Sequence, residues 1–138
     1  MSVAADRIVL EARRWVGTPY RHQSSTLGAG CDCLGLVRGV WREIYGSEPM
    51  AIPAYRADLR DVAFAGALQA AADRLLVRAE GLAAGRVVLF RLNGAVAAKH
   101  CGILVGGGRF VHAQEGLGVV EANLEGWGTR VAGVFEFP

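Results

Sequence analysis

Three side chains in this sequence have the types and spacing for nucleophilic chemistry: Cys33, His100 and His112. Cys33 follows Gly30-Cys31-Asp32 and shares one apolar stripe with Leu36, Val37, Val40, Trp41 and Ile44. That spacing predicts a helix starting at or beside Cys33 and stopping at Gly46. The free N–H groups and the positive dipole end at a helix start favour the thiolate, and they lower a cysteine pKa from ~8.5 into the ~3.5–7.5 range. A buried, inert cysteine is the competing reading of the same residue.

The histidines sharpen the choice. They fall in two apolar segments, Lys99–Val105 and Arg109–Gln114, joined by Gly106-Gly107-Gly108. With those three glycines as the loop, Val105 opposes Arg109, Gly102 opposes His112 and His100 opposes Gln114. Side chains alternate along a strand, so His100, Gly102, Phe110, His112 and Gln114 share a face. The two histidines are then diagonal neighbours, and Gly102 leaves room between them. A second helix packed on that face would bring Cys33 to His100, with His112 orienting His100 through its other ring nitrogen. Nucleophile, base and orienting residue are the set that acyl transfer by a cysteine requires. The backbone N–H of Cys33 would donate to the oxyanion. Cysteine on an early helix and histidine on a later strand is also the chain order of papain-like enzymes.

Cys31, Cys33, His100, Cys101 and His112 are all possible zinc ligands, so a zinc-binding protein is a rival reading. Two features weigh against it. The C-x-C spacing is shorter than the usual C-x₂₋₄-C, and His100 and Cys101 are strand neighbours that face opposite ways. Cys101 is expected to point into the other layer with Ile103 and Val105. No metal or other cofactor is expected, and the triple glycine is no phosphate cradle because no helix follows it.

The elements that must position these residues change character along the chain. Apolar residues recur at Ile8, Val9, Ala12, Trp15 and Val16, a helical stripe from Asp6 that ends at Gly17-Thr18-Pro19. Residues 20–31 read as a polar, Gly- and Ser-bearing loop. Past Pro49 and Pro53, a helix is expected over 61–77, with Phe64, Leu68, Ala71, Ala72 and Leu75 on its buried face. Then the period switches to two. Val87–Leu92, Lys99–Val105, Arg109–Gln114, Gly118–Asn123 and Arg130–Phe137 read as strands of an antiparallel meander. Helices first and strands after predict an α+β fold, N-terminal helices packed on an antiparallel sheet.

Composition narrows the function classes. The 138 residues are 52% hydrophobic, which excludes disorder and fits a single domain over 1–138. Fifteen basic against thirteen acidic side chains leave a charge of +2, too balanced for nucleic acid. Pairs such as Arg13-Arg14 read as solvated helix positions. Three cysteines are too few for a disulfide scaffold, and nothing approaches the ~20 apolar residues of a membrane helix. The N-terminal residues show no basic-then-apolar secretion signal, so synthesis with reduced thiols in the cytoplasm is expected. Glycine, 19 of 138, is about twice the usual ~7% and predicts tight turns.

At Gly17-Thr18-Pro19-Tyr20, Asp32-Cys33-Leu34-Gly35-Leu36-Val37, His100-Cys101-Gly102-Ile103-Leu104-Val105 and Phe110-Val111-His112-Ala113, the chain resembles the NlpC/P60 cysteine peptidases. The stretch from Gly17 to Gly46, with its long loop before Asp32-Cys33, is most similar to the branch found in tail gene clusters of phages and gene transfer agents. The resemblance implies a papain-like fold and a hydrolase that cuts peptidoglycan stem peptides, typically between γ-D-glutamyl and a diamino acid. It implies Cys33 as nucleophile, His100 as base and His112 as the residue that orients the base. Tyr20 matches the aromatic lining the site, and Asp32 the acidic residue that helps bind the free amine of the stem peptide. A packing aromatic and a helix N-cap are the plainer roles for these two. The implied partners are other phage-like tail proteins, and the implied place of action is the target cell's periplasm. A structural tail-tip protein that keeps the fold is the alternative. Two residues depart from the family pattern: Leu34, where Ser is usual, and Arg86, where Asp is common. His22 sits in the substrate-side loop and reads as a solvent-exposed histidine.

Overall fold

A computed structural model describes residues 4–49, 66–91 and 98–138. Helix α1, Ala5–Arg14, buries Ile8 and Ala12, and Trp15 at its C-cap is 4% exposed. Helix α2, Cys33–Tyr45, starts at Asp32, whose carboxylate accepts the Gly35 N–H, and stops at Gly46 in the left-handed region, φ 88°. Its stripe of Leu36, Val37 and Val40 is buried, with Cys33, Trp41 and Ile44 packed beside it. Helix α3 covers Ala67–Leu75. The rest of the helix expected from residue 61, including Phe64, lies outside the described residues. Its far end differs: Val77 is not helical but opens a short strand.

The loop before α2 contains a two-stranded ribbon that the sequence did not signal, β1 (Ser25–Thr26) against β2 (Gly30–Cys31). The main sheet is antiparallel, with β3 (Val77–Arg78), β4 (Val87–Phe90), β5 (His100–Gly106), β6 (Arg109–Gln114), β7 (Gly118–Asn123) and β8 (Val131–Glu136). Its order is β3-β8-β4-β5-β6-β7. Strands β4 to β7 form the expected meander, but β8 returns to the far side of β4. All four residues of β4 are buried. Left as an edge, β4 would present an unpaired apolar ladder; β8 covers it and moves the edge to the two-residue β3.

Between β5 and β6 the ladder has the expected offset, with Ile103 opposite Val111 and Leu104 opposite Phe110. The turn is tighter than a three-residue loop. Gly106 pairs with Arg109, Gly107 and Gly108 both have positive φ (63° and 73°), and the register shifts between Leu104 and Gly106.

The sheet has a core on each face. The larger joins α1 and α2 to Val87, Leu89, Cys101, Ile103, Val105 and Val111. The smaller gathers Val88, Phe90, Leu104, Phe110, Leu124 and Val134 on the opposite face. This corrects one expectation: α2 does not pack on the histidine face but on the face of Cys101 and Ile103. Alternation says which residues share a face, not which face the helices choose. Both faces here are apolar, and the helices took the aliphatic one.

Gly39 marks where α2 crosses α1, since a Cβ built there would overlap the buried Trp15 ring. Helix propensity alone favours Ala over Gly by ~1 kcal/mol. Overpacking should reverse the sign, so Gly39→Ala is expected to lose about 1–3 kcal/mol in urea unfolding. A gain in stability would contradict this packing.

Candidate active site

Cys33 is the first residue of α2, and Asp32 before it is the N-cap. Asp32 is 1% exposed, with Oδ1 accepting the Gly35 N–H (2.8 Å) and Oδ2 the Gln23 N–H (2.7 Å). The carboxylate thus closes the helix and ties down the loop in front of it. The same loop aligns Tyr20 beside Cys31 through the Cys31 N–H to Pro19 O bond (3.0 Å) and the Arg21 N–H to Cys31 O bond (3.0 Å). Tyr20 is half-buried. Burial foremost, then negative charge at Cys33 and Asp32, pushes its phenol up to about 12, so it remains a hydroxyl donor.

The histidines meet as the register predicted. His100 Nε2 lies 2.8 Å from His112 Nδ1, with the rings near perpendicular. Gly102 is necessary to this. A Cβ there would come within 2.9 Å of Phe110 and of the Val111 carbonyl, and within 3.2 Å of His112 Cβ. His112 is 1% exposed, and burial foremost, then the charge of His100, lowers its pKa to about 4. A neutral His112 offers Nδ1 as acceptor and so carries its own proton on Nε2. His100 can donate from Nε2 only to that tautomer, which leaves His100 Nδ1 for Cys33.

The three thiols fall into different states. Hydrogen bonding from Cys101, then from His100, outweighs burial and holds Cys33 well below an ordinary thiol. Burial pushes Cys31 up to about 12. The bond to Cys33, with burial added, raises Cys101 well above the usual range. Cys33 is therefore the thiol poised to ionise, although α2 lies on the opposite face from the histidines. It occupies the first turn of α2, His100 is the first residue of β5, and the contact is made at those two ends.

Two contributors were not visible in the sequence. Cys101 does point into the layer of Ile103 and Val105, yet its Sγ also donates to the Cys33 carbonyl at 3.3 Å. Trp127 lies over both histidines, its ring centroid 5.7 Å from His100 and 5.4 Å from His112. Between Gly126 and Gly128 it reads as a turn residue, and no periodic signal marks it.

The remaining candidates lie elsewhere. Leu34 is half-buried and lines an apolar cavity of about 70 Å³ on the helix side, with Trp41, Leu68 and Leu76. Arg86 bonds the Glu80 and Gly81 carbonyls and Glu136, at the end of β4 away from His100. His22 is exposed, its Nδ1 3.8 Å from Asp32 Oδ2. Among the described residues, no three His, Cys, Asp or Glu side chains converge as metal ligands would.

A histidine at about 4 in the folded chain and ~6.5 unfolded makes the unfolded state the better proton acceptor. Its stabilising contribution is complete above pH ~6.5 and falls away as the pH drops toward 4, by up to about 3 kcal/mol. Unfolding free energies measured from pH 7 to 4 should therefore decline more steeply in the wild type than in His112→Gln. Parallel curves would contradict a buried neutral His112.

The NlpC/P60 family model matches residues 17–136. The chain is 30% identical over 118 residues to the murein DD-endopeptidase MepS/murein LD-carboxypeptidase of Escherichia coli K12, covering 86% of this chain and 54% of that protein. It is 29% identical over 132 residues to the gamma-DL-glutamyl hydrolase of Bacillus subtilis 168, covering 94% of this chain and 29% of that protein. It thus spans about half the length, or less, of these relatives. In fold it is similar to the NlpC/p60 domain of the peptidoglycan hydrolase SagA, with a TM-score of 0.62, 24% identity and 99% of both chains covered. The expected α+β, papain-like arrangement of helices on an antiparallel sheet is the one observed, and the chain belongs to the NlpC/P60 family.

Proposed function

We propose that this chain is a cysteine endopeptidase that hydrolyses peptidoglycan stem peptides at the γ-D-glutamyl–diamino acid bond. The observation that carries the reading is the 2.8 Å bond between His100 and His112, made beside Cys33, whose surroundings lower its thiol pKa well below the ordinary value. The names of the relatives, a murein endopeptidase and a gamma-DL-glutamyl hydrolase, support the substrate.

In this reading Cys33 passes its proton to His100 Nδ1, and the thiolate attacks the scissile carbonyl carbon. Negative charge collects on the carbonyl oxygen, which accepts the Cys33 backbone N–H; as a first-turn donor, that group has no intrahelical partner. The C–N bond breaks as His100 protonates the leaving amine, leaving a thioester on Cys33. His100 then takes a proton from water, the resulting hydroxide attacks the thioester, and the free acid and thiol are regenerated. Throughout, His112 holds the imidazole by Nε2. Tyr20 donates its hydroxyl to the substrate. Asp32, whose oxygens already accept backbone N–H groups, attracts the free amine of the stem peptide by its buried charge.

We also assign the protein to a phage-like tail, made in the cytoplasm and acting with other tail proteins in the target cell's periplasm. The loop between Tyr20 and Cys31, long in the manner of the tail-associated branch, supports this. Digestion of purified peptidoglycan should release muropeptides cut at the γ-D-glutamyl bond, and Cys33→Ala should lose at least about 10³-fold in rate. Equal activity of wild type and Cys33→Ala would overturn the catalytic reading in favour of a structural tail-tip protein. Mass spectrometry of purified particles tests the tail assignment, and the protein's absence from them would refute it.

A further inference from the structure

Because β7 forms one edge of the sheet and β8 lies beyond β4, the segment joining them crosses the face that carries the histidines. That crossing is firmly tied. Leu124 N–H donates to Gly108 O (2.8 Å), Trp127 N–H to Leu124 O (2.9 Å), Arg130 N–H to Trp127 O (2.9 Å) and Arg91 N–H to Arg130 O (2.7 Å). Leu124, 8% exposed, anchors it in the smaller core. The segment sets one large ring on the site. The Trp127 centroid lies 4.9 Å from Phe90 and 5.6 Å from Phe110, in addition to its contacts with both histidines. Phe90 stacks on His100 at 5.9 Å, and Phe110 lies 4.4 Å from His112. Three aromatic rings therefore surround the imidazole pair, and on the Trp127 ring sits the Arg130 guanidinium, 5.6 Å away.

We propose that Trp127 is a positioning residue: it covers the His100–His112 hydrogen bond, keeps water from competing for it and holds His112 as a neutral acceptor. The inference rests on the reading of His100 as the base, but it concerns a residue outside the Cys33, His100 and His112 set. A nitrogen–nitrogen hydrogen bond open to water exchanges with water bonds of similar strength and orients the ring weakly. Walled by apolar rings, the same bond is stronger and keeps one geometry. The wall also disfavours charge on His112, and a charged His112 would present a second donor to His100 and break the arrangement.

The test pairs nitrogen NMR of the histidine rings with steady-state kinetics on peptidoglycan fragments, for wild type, Trp127→Ala and Trp127→Phe. In the wild type His112 should stay neutral down to about pH 4. In Trp127→Ala its titration should move up toward ~6.5, and kcat should fall about 10- to 100-fold with KM within about 2-fold. Trp127→Phe should restore most of both. If Trp127→Ala does not fold, Trp127→Leu carries the same comparison with smaller shifts. An active wild type beside a folded variant with unchanged His112 titration and unchanged kcat overturns this inference alone. An inactive wild type overturns the functional reading, and the ring titration still decides the role of Trp127.

Discussion

An imidazole that takes a proton from a thiol on one nitrogen must be held by the other, or it spends its time in other orientations. Here the holding group is a second imidazole, 2.8 Å away. The choice has a condition attached. A carboxylate accepts in any ordinary protonation state near neutrality, whereas a histidine accepts only when neutral and in one tautomer. Much of the histidine face meets that condition. Gly102 lets the rings approach, Phe90, Phe110 and Trp127 wall them in, and burial keeps His112 uncharged.

Cys33 is set up from the opposite side of the sheet. Asp32 caps α2 and fastens the preceding loop, and that loop brings Tyr20 alongside Cys31. Consecutive residues of β5 then reach Cys33 from two faces, His100 with its imidazole and Cys101 with its thiol. Ionisation of Cys33 therefore depends on the helix start, on the strand beside it and on the far-face imidazole, three parts of the chain that come together only in the folded protein.

Much of this was legible beforehand for a physical reason. Helical periodicity fixed the stripe of α2 from Leu36 to Ile44, and strand alternation with a glycine turn fixed the His100–His112 pairing. Both are local rules that one chain segment satisfies by itself. What escaped depends on choices between segments. The packing face of α2 was misjudged because Gly102 and Leu104 on one side of β5 and Cys101 and Ile103 on the other are equally compatible with a buried sheet. The return of β8 to β4 was missed because alternation marks strands and not their partners. Trp127 sits in a Gly-Trp-Gly turn and acquires its role only because that turn crosses the histidines.

The NlpC/P60 family model spans residues 17–136, a stretch that includes Cys33 and the hydrogen-bonded pair His100 and His112. The central claim is that the Cys101 thiol and the His100 imidazole, which His112 holds in place, lower the Cys33 pKa well below that of an ordinary thiol. It is tested most directly by the rate of Cys33 alkylation by iodoacetamide as a function of pH, in the wild type and in His100→Ala. The account predicts rapid wild-type labelling that persists well below pH ~8.5, and a His100→Ala profile displaced toward higher pH. Superimposable profiles, or labelling of wild-type Cys33 that begins only near an ordinary thiol pKa, would contradict it.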